Sequence, residues 1–307
     1  MSFDALRPRL TSGRPLVLDS DTGAAFRARG SALDTPGSLG VMLRERPAEI
    51  RAHYAAEVAS RVDVLSALTA DTTPRALAEV GMHHRAAALT SLAVELALEA
   101  AASSTRPVAV AGVLGSDMVT PIAADRLREE LEEHAARLAA AGCELVIARG
   151  QGSQIGLMAA VAAAARSELL TFAVVECDAR GRLVTGTSLS ELVFAVADAG
   201  AEAVLFEVPS VDAGLECLSE LGLVDAEPPT PGVLLGSSAE SVRGFPDREG
   251  VAIHWVDRAL ELGGAGARII GGGAGTTESH TRALAAALGV LHPSSPPRHT
   301  PKLEGKP

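Results

Sequence analysis

The feature that most constrains the fold is a regular alternation of short apolar runs with longer alanine-rich runs along almost all of the 307 residues. The apolar runs have the length of strands, and the runs between them have the apolar spacing of helices. Near-continuous apolar strands are typical of a parallel sheet that is buried on both faces. The predicted strands are 16–19, 62–67, 108–113, 144–148, 170–175, 203–207, 232–235 and 267–270.

Eight strands, each followed by a crossover, predict a single α/β domain over residues 1–292, a (β/α)8 barrel of the TIM type. Helical patterns fill most of the crossovers, at 47–61, 83–102, 123–141, 189–199, 211–221, 251–262 and 278–288. The alternative is an open doubly wound sheet, but no GxGxxG motif follows the first strand. Residues 293–307 are polar and rich in proline, so we expect a disordered C-terminal tail.

Composition and charge exclude several classes of partner. Hydrophobic residues make up 47% of the chain, which is enough for a large core, and the net charge of −11 argues against binding to nucleic acid. The sequence contains no recognisable targeting or membrane segment. We therefore expect a cytoplasmic protein with a small-molecule substrate; the sequence leaves open whether it forms a homo-oligomer.

The three cysteines, Cys143, Cys177 and Cys217, lie far apart in the sequence. This spacing excludes a disulfide-rich scaffold and any CxxC motif for zinc or redox chemistry. Cys177 is predicted at a strand end, from which its thiol could reach the mouth of a barrel.

In such a barrel, residues at the carboxyl ends of the strands surround a shared mouth where chemistry is expected. Arg149 there binds an anion or pairs with an acid, and Glu207 is a general base or the counter-ion of Arg149. Asp19 and Asp21 either bind substrate or cap the loop after the first strand. The candidate substrate-binding residues are Asp19, Asp21, Arg149, Glu176, Ser237, Gly272 and Gly273, and the candidate catalytic residues are Glu207 and Asp19.

Three segments carry a resemblance to a known family: LVLDSDTGAAFRARG at the first strand, VAVAGVLGS at the third, and GARIIGGGAGTTESHTRALA at the eighth. The last is similar to G-A-x-I-I-G-G-C-C-G-T-x-P-x-H-I, a signature of the homocysteine S-methyltransferases. The chain resembles that family over nearly its whole length. The resemblance implies a barrel, with Asp19 at the position of an aspartate that helps to hold the substrate amine.

The resemblance also implies a zinc ion held by three cysteines, and here the chain departs from the family. The corresponding positions carry Val208, Gly273 and Ala274, which have no donor atom in their side chains. Arg149 stands where the family has a glutamate that binds the substrate amine. We therefore predict no metal and no cofactor beyond a sulfonium methyl donor as co-substrate.

The first hypothesis for function is a diverged transferase that moves a methyl or alkyl group from a sulfonium donor to a thiol or another small acceptor without zinc. Glu207 or Asp19 would then generate the nucleophile. The alternatives are an acid/base enzyme acting on a carboxylate or phosphate ligand, and a non-catalytic relative that binds a ligand or a partner. The glycine run from Gly271 to Gly275 either cradles an anion or is a relic of the zinc loop.

Overall fold

The computed structural model describes residues 3–11, 13–33, 35–115, 122–150, 152–222, 229–237 and 248–291. These residues contain eight parallel strands in one sheet, in the order β1-β8-β7-β6-β5-β4-β3-β2. The strands are β1 (Leu16–Val17), β2 (Val64–Ala67), β3 (Ala109–Leu114), β4 (Leu145–Arg149), β5 (Leu170–Glu176), β6 (Ala203–Val208), β7 (Thr230–Leu235) and β8 (Ile269–Gly272).

The sheet closes on itself between its first and second strands. Leu18 forms a parallel bridge with Val64, and the Asp63 amide donates to the Val17 carbonyl at 2.8 Å. The predicted single (β/α)8 barrel is therefore confirmed. The predicted tail, 293–307, lies outside the described residues.

Helices cover the outside of the barrel. Several begin where the sequence supplies a capping side chain, as at Ser153 and Ser188, or a proline in the first turn, as at Pro47. The helices are α1 (Arg7–Thr11), α2 (Thr22–Ala28), α3 (Ser38–Glu45), α4 (Pro47–Ala59), α5 (Pro74–Ala78), α6 (Ala86–Ala102), α7 (Ala124–Ala140), α8 (Gln154–Arg166), α9 (Leu189–Asp198), α10 (Val211–Gly222), α11 (Arg248–Gly264) and α12 (Glu278–Leu291).

The core has two shells because strand side chains alternate between the two faces of the sheet. One shell fills the barrel, where Phe172, Leu205 and Ile269 are fully buried. Phe3, from the N-terminal segment, packs edge-on against Phe172 with ring centroids 5.6 Å apart. The other shell lies between sheet and helices and is rich in alanine.

Each predicted strand overlaps an observed one, but the ends differ by a few residues. Because β4 and β5 each run one residue further than predicted, Arg149 and Glu176 are the last residues of their strands. Because β1 ends at Val17, Asp19 lies in the loop that follows. The structure also adds α1, α2, α3, α5 and α8 to the predicted helices. No described helix is both long enough and apolar enough to cross a bilayer.

Candidate active site

A cavity of about 570 Å³ opens at the carboxyl ends of the strands. This is a suitable size for a small-molecule site. Ser237 does not line it; its amide instead donates to the Ala274 carbonyl at 2.9 Å. The other predicted site residues all line the cavity: Asp19, Asp21, Arg149, Glu176, Glu207, Gly272 and Gly273.

Arg149 and Glu207 form an ion pair on the cavity wall. Arg149 Nη2 donates to Glu207 Oε2, although β5 lies between their strands. Glu176, at the end of β5, is the register partner of Glu207. Burial raises the pKa of Glu207; Arg149 opposes that rise, and the neighbouring Glu176 and Asp21 add to it. Of the two roles that the sequence suggested for Glu207, the geometry therefore shows that of counter-ion to Arg149.

Asp19 is held by one residue of the neighbouring strand. Ser66, on β2, donates from its hydroxyl to Asp19 Oδ1 and from its amide to Asp19 Oδ2, each at 2.7 Å. The Asp19 side chain is buried beside the cavity, and burial raises its pKa. A carboxylate fixed by two donors has a defined orientation, which suits a group that positions substrate.

Asp21 links the first and last loops of the mouth. Its Oδ1 accepts from the Ala24 amide at 3.0 Å and caps α2, and its Oδ2 accepts from the Gly275 amide at 3.1 Å. The Asp21 amide in turn donates to Thr276 Oγ1 at 3.1 Å. Asp21 thus has the capping role that the sequence left open, while it also lines the cavity.

The glycine loop uses its amides within the protein. The Gly272 amide donates to the Asp19 carbonyl at 3.1 Å, and the Gly273 amide donates to the Leu235 carbonyl at 2.9 Å. The Gly275 amide is taken by Asp21, and the Thr276 amide donates to the Gly273 carbonyl at 3.2 Å. An anion would therefore find these four donors already occupied.

The positions that correspond to zinc ligands do not fit a zinc ion. Val208 is buried between sheet and helices, so its side chain faces away from the cavity. A Cβ at Gly273 would lie 2.9 Å from both the Gly236 amide nitrogen and the Leu234 carbonyl oxygen, too close for an unshifted backbone. Ala274, at the third of these positions, also has no side-chain atom that could bind zinc.

The three cysteines cannot replace the missing ligands. All three side chains lie in the shell between sheet and helices, and none lines the cavity. Cys177 Sγ lies 3.6 Å from Cys217 Sγ. The idea that Cys177 could reach the mouth is therefore wrong, because the residue after Glu176 points to the opposite face of the sheet.

Sequence reasoning missed two acids near the mouth. Glu57, on α4, is fully buried and accepts a hydrogen bond from the Ser20 hydroxyl; burial and the nearby Asp19 raise its pKa. Asp71 lines the cavity, and its Oδ2 accepts from the Leu39 amide at 3.1 Å. Both lie away from the strand ends, although an acid in helical register with Ile50 and Tyr54 on α4 was a usable signal.

The mouth is strongly acidic. Among the described residues that line the cavity, Arg149 is the one arginine or lysine, and it is paired with Glu207. The acids on the same wall are Asp19, Asp21, Asp71, Glu176 and Glu207. A wall with this balance favours a ligand that carries positive charge.

Comparisons with known proteins place the chain in a family. In overall fold it is similar to the homocysteine methyltransferase MmuM from Escherichia coli. The metallated form has 21% identity and a TM-score of 0.77, covering 92% of this chain and 99% of that one. The oxidized form has 21% identity and a TM-score of 0.74, covering 93% and 99%.

A more distant similarity, at 12% identity and a TM-score of 0.51, is to type I 3-dehydroquinate dehydratase from Clostridium difficile, covering 91% of this chain and 92% of that one. No curated protein sequence matches significantly. The model of the homocysteine S-methyltransferase family matches residues 16–288, which is most of the barrel. The chain belongs to the homocysteine S-methyltransferase family.

Proposed function

We propose that the protein transfers a methyl or alkyl group from a sulfonium donor to a small acceptor, a homocysteine-like thiol in the simplest case. Family membership supports the reaction class. The observation that carries the proposal is the acidic mouth, where five carboxylates face one guanidinium that is already paired. Such a wall stabilises a sulfonium or ammonium group and disfavours a ligand with a net negative charge, such as the carboxylate or phosphate of the acid/base alternative.

In this reaction the acceptor sulfur attacks the methyl carbon of the donor. The new carbon–sulfur bond forms as the old one breaks, and its electron pair returns to the donor sulfur, which becomes neutral. An acceptor that enters as a thiol must also lose its proton, and Glu207 takes it. Burial raises the pKa of Glu207, which brings this carboxylate closer to the basicity that the task needs.

The remaining predicted residues bind the substrates. Asp19, Asp21 and Glu176 attract the cationic groups, and Asp19 has the fixed orientation to position an ammonium. Arg149 has donors beyond the one given to Glu207, and these bind the carboxylate of an amino-acid acceptor. Gly272 and Gly273 form the wall beside them, and Ser237 acts by supporting the glycine loop.

The proposed reaction does not use the family's zinc. Val208, Gly273 and Ala274 provide no ligand, so deprotonation is assigned to a carboxylate instead. Elemental analysis of the purified protein should find no stoichiometric zinc in the mouth. This part of the proposal would be overturned if one zinc per chain remained tightly bound after potential metal ligands outside the mouth had been substituted.

The direct test mixes homocysteine with S-methylmethionine or with S-adenosylmethionine and measures methionine formation. We expect turnover with one of these donors and stabilisation of the protein against thermal unfolding by that donor. Stabilisation by phosphate or simple carboxylates instead would support the acid/base enzyme. No response to any small molecule, with no turnover, would favour the non-catalytic relative.

A further inference from the structure

Three potential metal ligands converge behind the cavity wall, on two helices that the proposed reaction does not use. His53 and Glu57 are one turn apart on α4, so their side chains lie on the same face. Glu278 is the first residue of α12. Each of the three offers one ligand atom, and these atoms all lie within 4.8 Å of one another.

Two of these side chains are buried with a polar atom that has no hydrogen-bond partner. His53 is 1% exposed and Glu57 is 0% exposed. His53 Nδ1 and Glu57 Oε2 are both buried without a hydrogen bond of normal geometry, although the Thr281 side chain lies close enough to Glu57 to lower its pKa. Buried polar atoms are rarely left unpaired, because each then loses its hydration without compensation. A cation coordinated by His53 Nδ1 and Glu57 Oε2 would give each of these atoms a partner.

The other atoms of the same side chains are held from outside the cluster. His53 Nε2 lies 3.3 Å from Thr22 Oγ1, and Glu57 Oε1 accepts from the Ser20 hydroxyl. Contacts of this kind fix the orientation of metal ligands and leave the second nitrogen or oxygen to face the ion. The neutral imidazole that donates through Nε2 has its lone pair on Nδ1.

The charges around the cluster also suit a cation. Glu278 forms an ion pair with Arg29, but Arg29 is a single positive charge beside two carboxylates. A divalent ion would compensate for the burial of Glu57, which has no guanidinium or ammonium partner among the described residues.

We propose that His53, Glu57 and Glu278 bind one divalent transition-metal ion such as Zn²⁺ or Mn²⁺. One imidazole with two carboxylates suits these ions, whereas Mg²⁺ prefers oxygen ligands and retains its water. The site is separate from the positions of the family's zinc cysteines. Because Ser20 and Thr22 line the cavity and contact the ligands, the ion stabilises the first loop of the mouth. This inference does not depend on the proposed reaction.

The test is a calorimetric titration of the full-length, metal-stripped protein with Zn²⁺, Mn²⁺ and Mg²⁺ in separate experiments. We expect one Zn²⁺ or Mn²⁺ per chain, with weaker Mg²⁺ binding. Glu278→Gln and Glu57→Gln should each weaken the binding roughly 10-fold or more. Glu278 is only partly buried, so its variant is expected to fold even if the Glu57 variant does not.

Two controls separate this site from other carboxylates. Glu176→Gln removes an acid from the mouth, and Glu99→Gln removes an exposed acid on α6; both should bind the metal as the unmodified chain does. Absence of 1:1 binding of Zn²⁺ or Mn²⁺ would overturn the proposal. So would unchanged affinity in Glu278→Gln, or loss of affinity in Glu176→Gln alone.

Discussion

Arg149 donates a hydrogen bond to Glu207 across the strand that separates β4 from β6. The pair places the one described cation of the mouth against the proposed base. Because the guanidinium lowers the pKa of Glu207 while burial raises it, the arginine controls how readily this carboxylate is ionised.

Replacing Arg149 with methionine should therefore shift the acidic limb of the pH–rate profile to higher pH. The pKa of Glu207 rises when its counter-ion is lost, so a smaller fraction of the base is ionised at a given pH. We expect kcat/KM near neutral pH to fall roughly 10-fold or more. Arg166→Met is the matched control, because Arg166 pairs with Glu132 on the surface. Unchanged ligand binding and activity in Arg149→Met would contradict the assignment of this site.

Glu207→Gln tests the base itself. Glutamine keeps the shape of the side chain and an acceptor for Arg149 but cannot take a proton at neutral pH. We expect kcat to fall by roughly 10²-fold or more, with a small effect on donor affinity. Steady-state kinetics with the donor that supports turnover would measure both. If kcat stays near normal, a group other than Glu207 takes the proton from the acceptor thiol.

Removing the Ser66 hydroxyl tests the orientation of Asp19. In Ser66→Ala the buried Asp19 Oδ1 loses its donor, while the backbone donor to Oδ2 remains. We expect the free energy of unfolding to fall by about 1–3 kcal/mol and KM for the amine-bearing substrate to rise. Ser190→Ala removes an exposed hydroxyl–hydroxyl contact and should change stability by less than about 0.5 kcal/mol. Equal effects in the two variants, measured by urea denaturation, would argue against a special role for Ser66.

The alternating pattern predicted the barrel and most of the cavity wall, because in a closed parallel sheet the carboxyl ends of all strands converge. The direction of individual side chains was harder to predict. Glu176, Cys177 and Asp178 are consecutive, yet Glu176 faces the cavity and Cys177 faces the helices. Asp178 accepts from the Arg180 and Arg182 amides in a turn. In a strand, alternate side chains face the same side, so the sequence allowed either Glu176 or Cys177 to face the cavity. The structure decides this by the register of β5.

Pairings between distant elements were beyond sequence reasoning. Several acids at the strand ends could have paired with Arg149. Only the arrangement of the strands in the barrel selects Glu207. Glu57 reaches Ser20, in the loop after β1, from a helix that lies well apart from that loop in the sequence. Such contacts depend on how helices pack on the sheet, and local periodicity contains no information about that packing.

Restoring the family's cysteines should not by itself restore a zinc site. In Gly273→Cys the new Cβ would meet the backbone of Leu234 and Gly236, so we expect a loss of about 1–3 kcal/mol in unfolding free energy. Ala274→Cys is the control, because Ala274 is exposed and tolerates a larger side chain. By elemental analysis, the triple variant with Val208→Cys should hold no more zinc per chain than the unmodified protein. One additional zinc per chain with unchanged stability would show that the mouth retains the metal geometry.

His134 should make the protein less stable as the pH falls below about 6.5. This residue of α7 is fully buried, its Nε2 lies 3.1 Å from the Thr69 carbonyl oxygen, and burial lowers its pKa to about 4. The unfolded chain, with an ordinary imidazole, therefore takes up a proton between pH 6.5 and 4 that the folded chain does not. Stability is lost over this window, by about 3 kcal/mol at its lower end.

His134→Gln isolates this contribution, because glutamine can still donate to Thr69 but does not titrate. We expect the variant to lose less stability than the unmodified protein between pH 6.5 and pH 4, as measured by urea denaturation at several pH values. His84→Gln, at an exposed histidine, should keep the full slope. If His134→Gln loses stability as steeply as the unmodified chain, His134 is protonated in the folded state and the buried contact to Thr69 opens in acid.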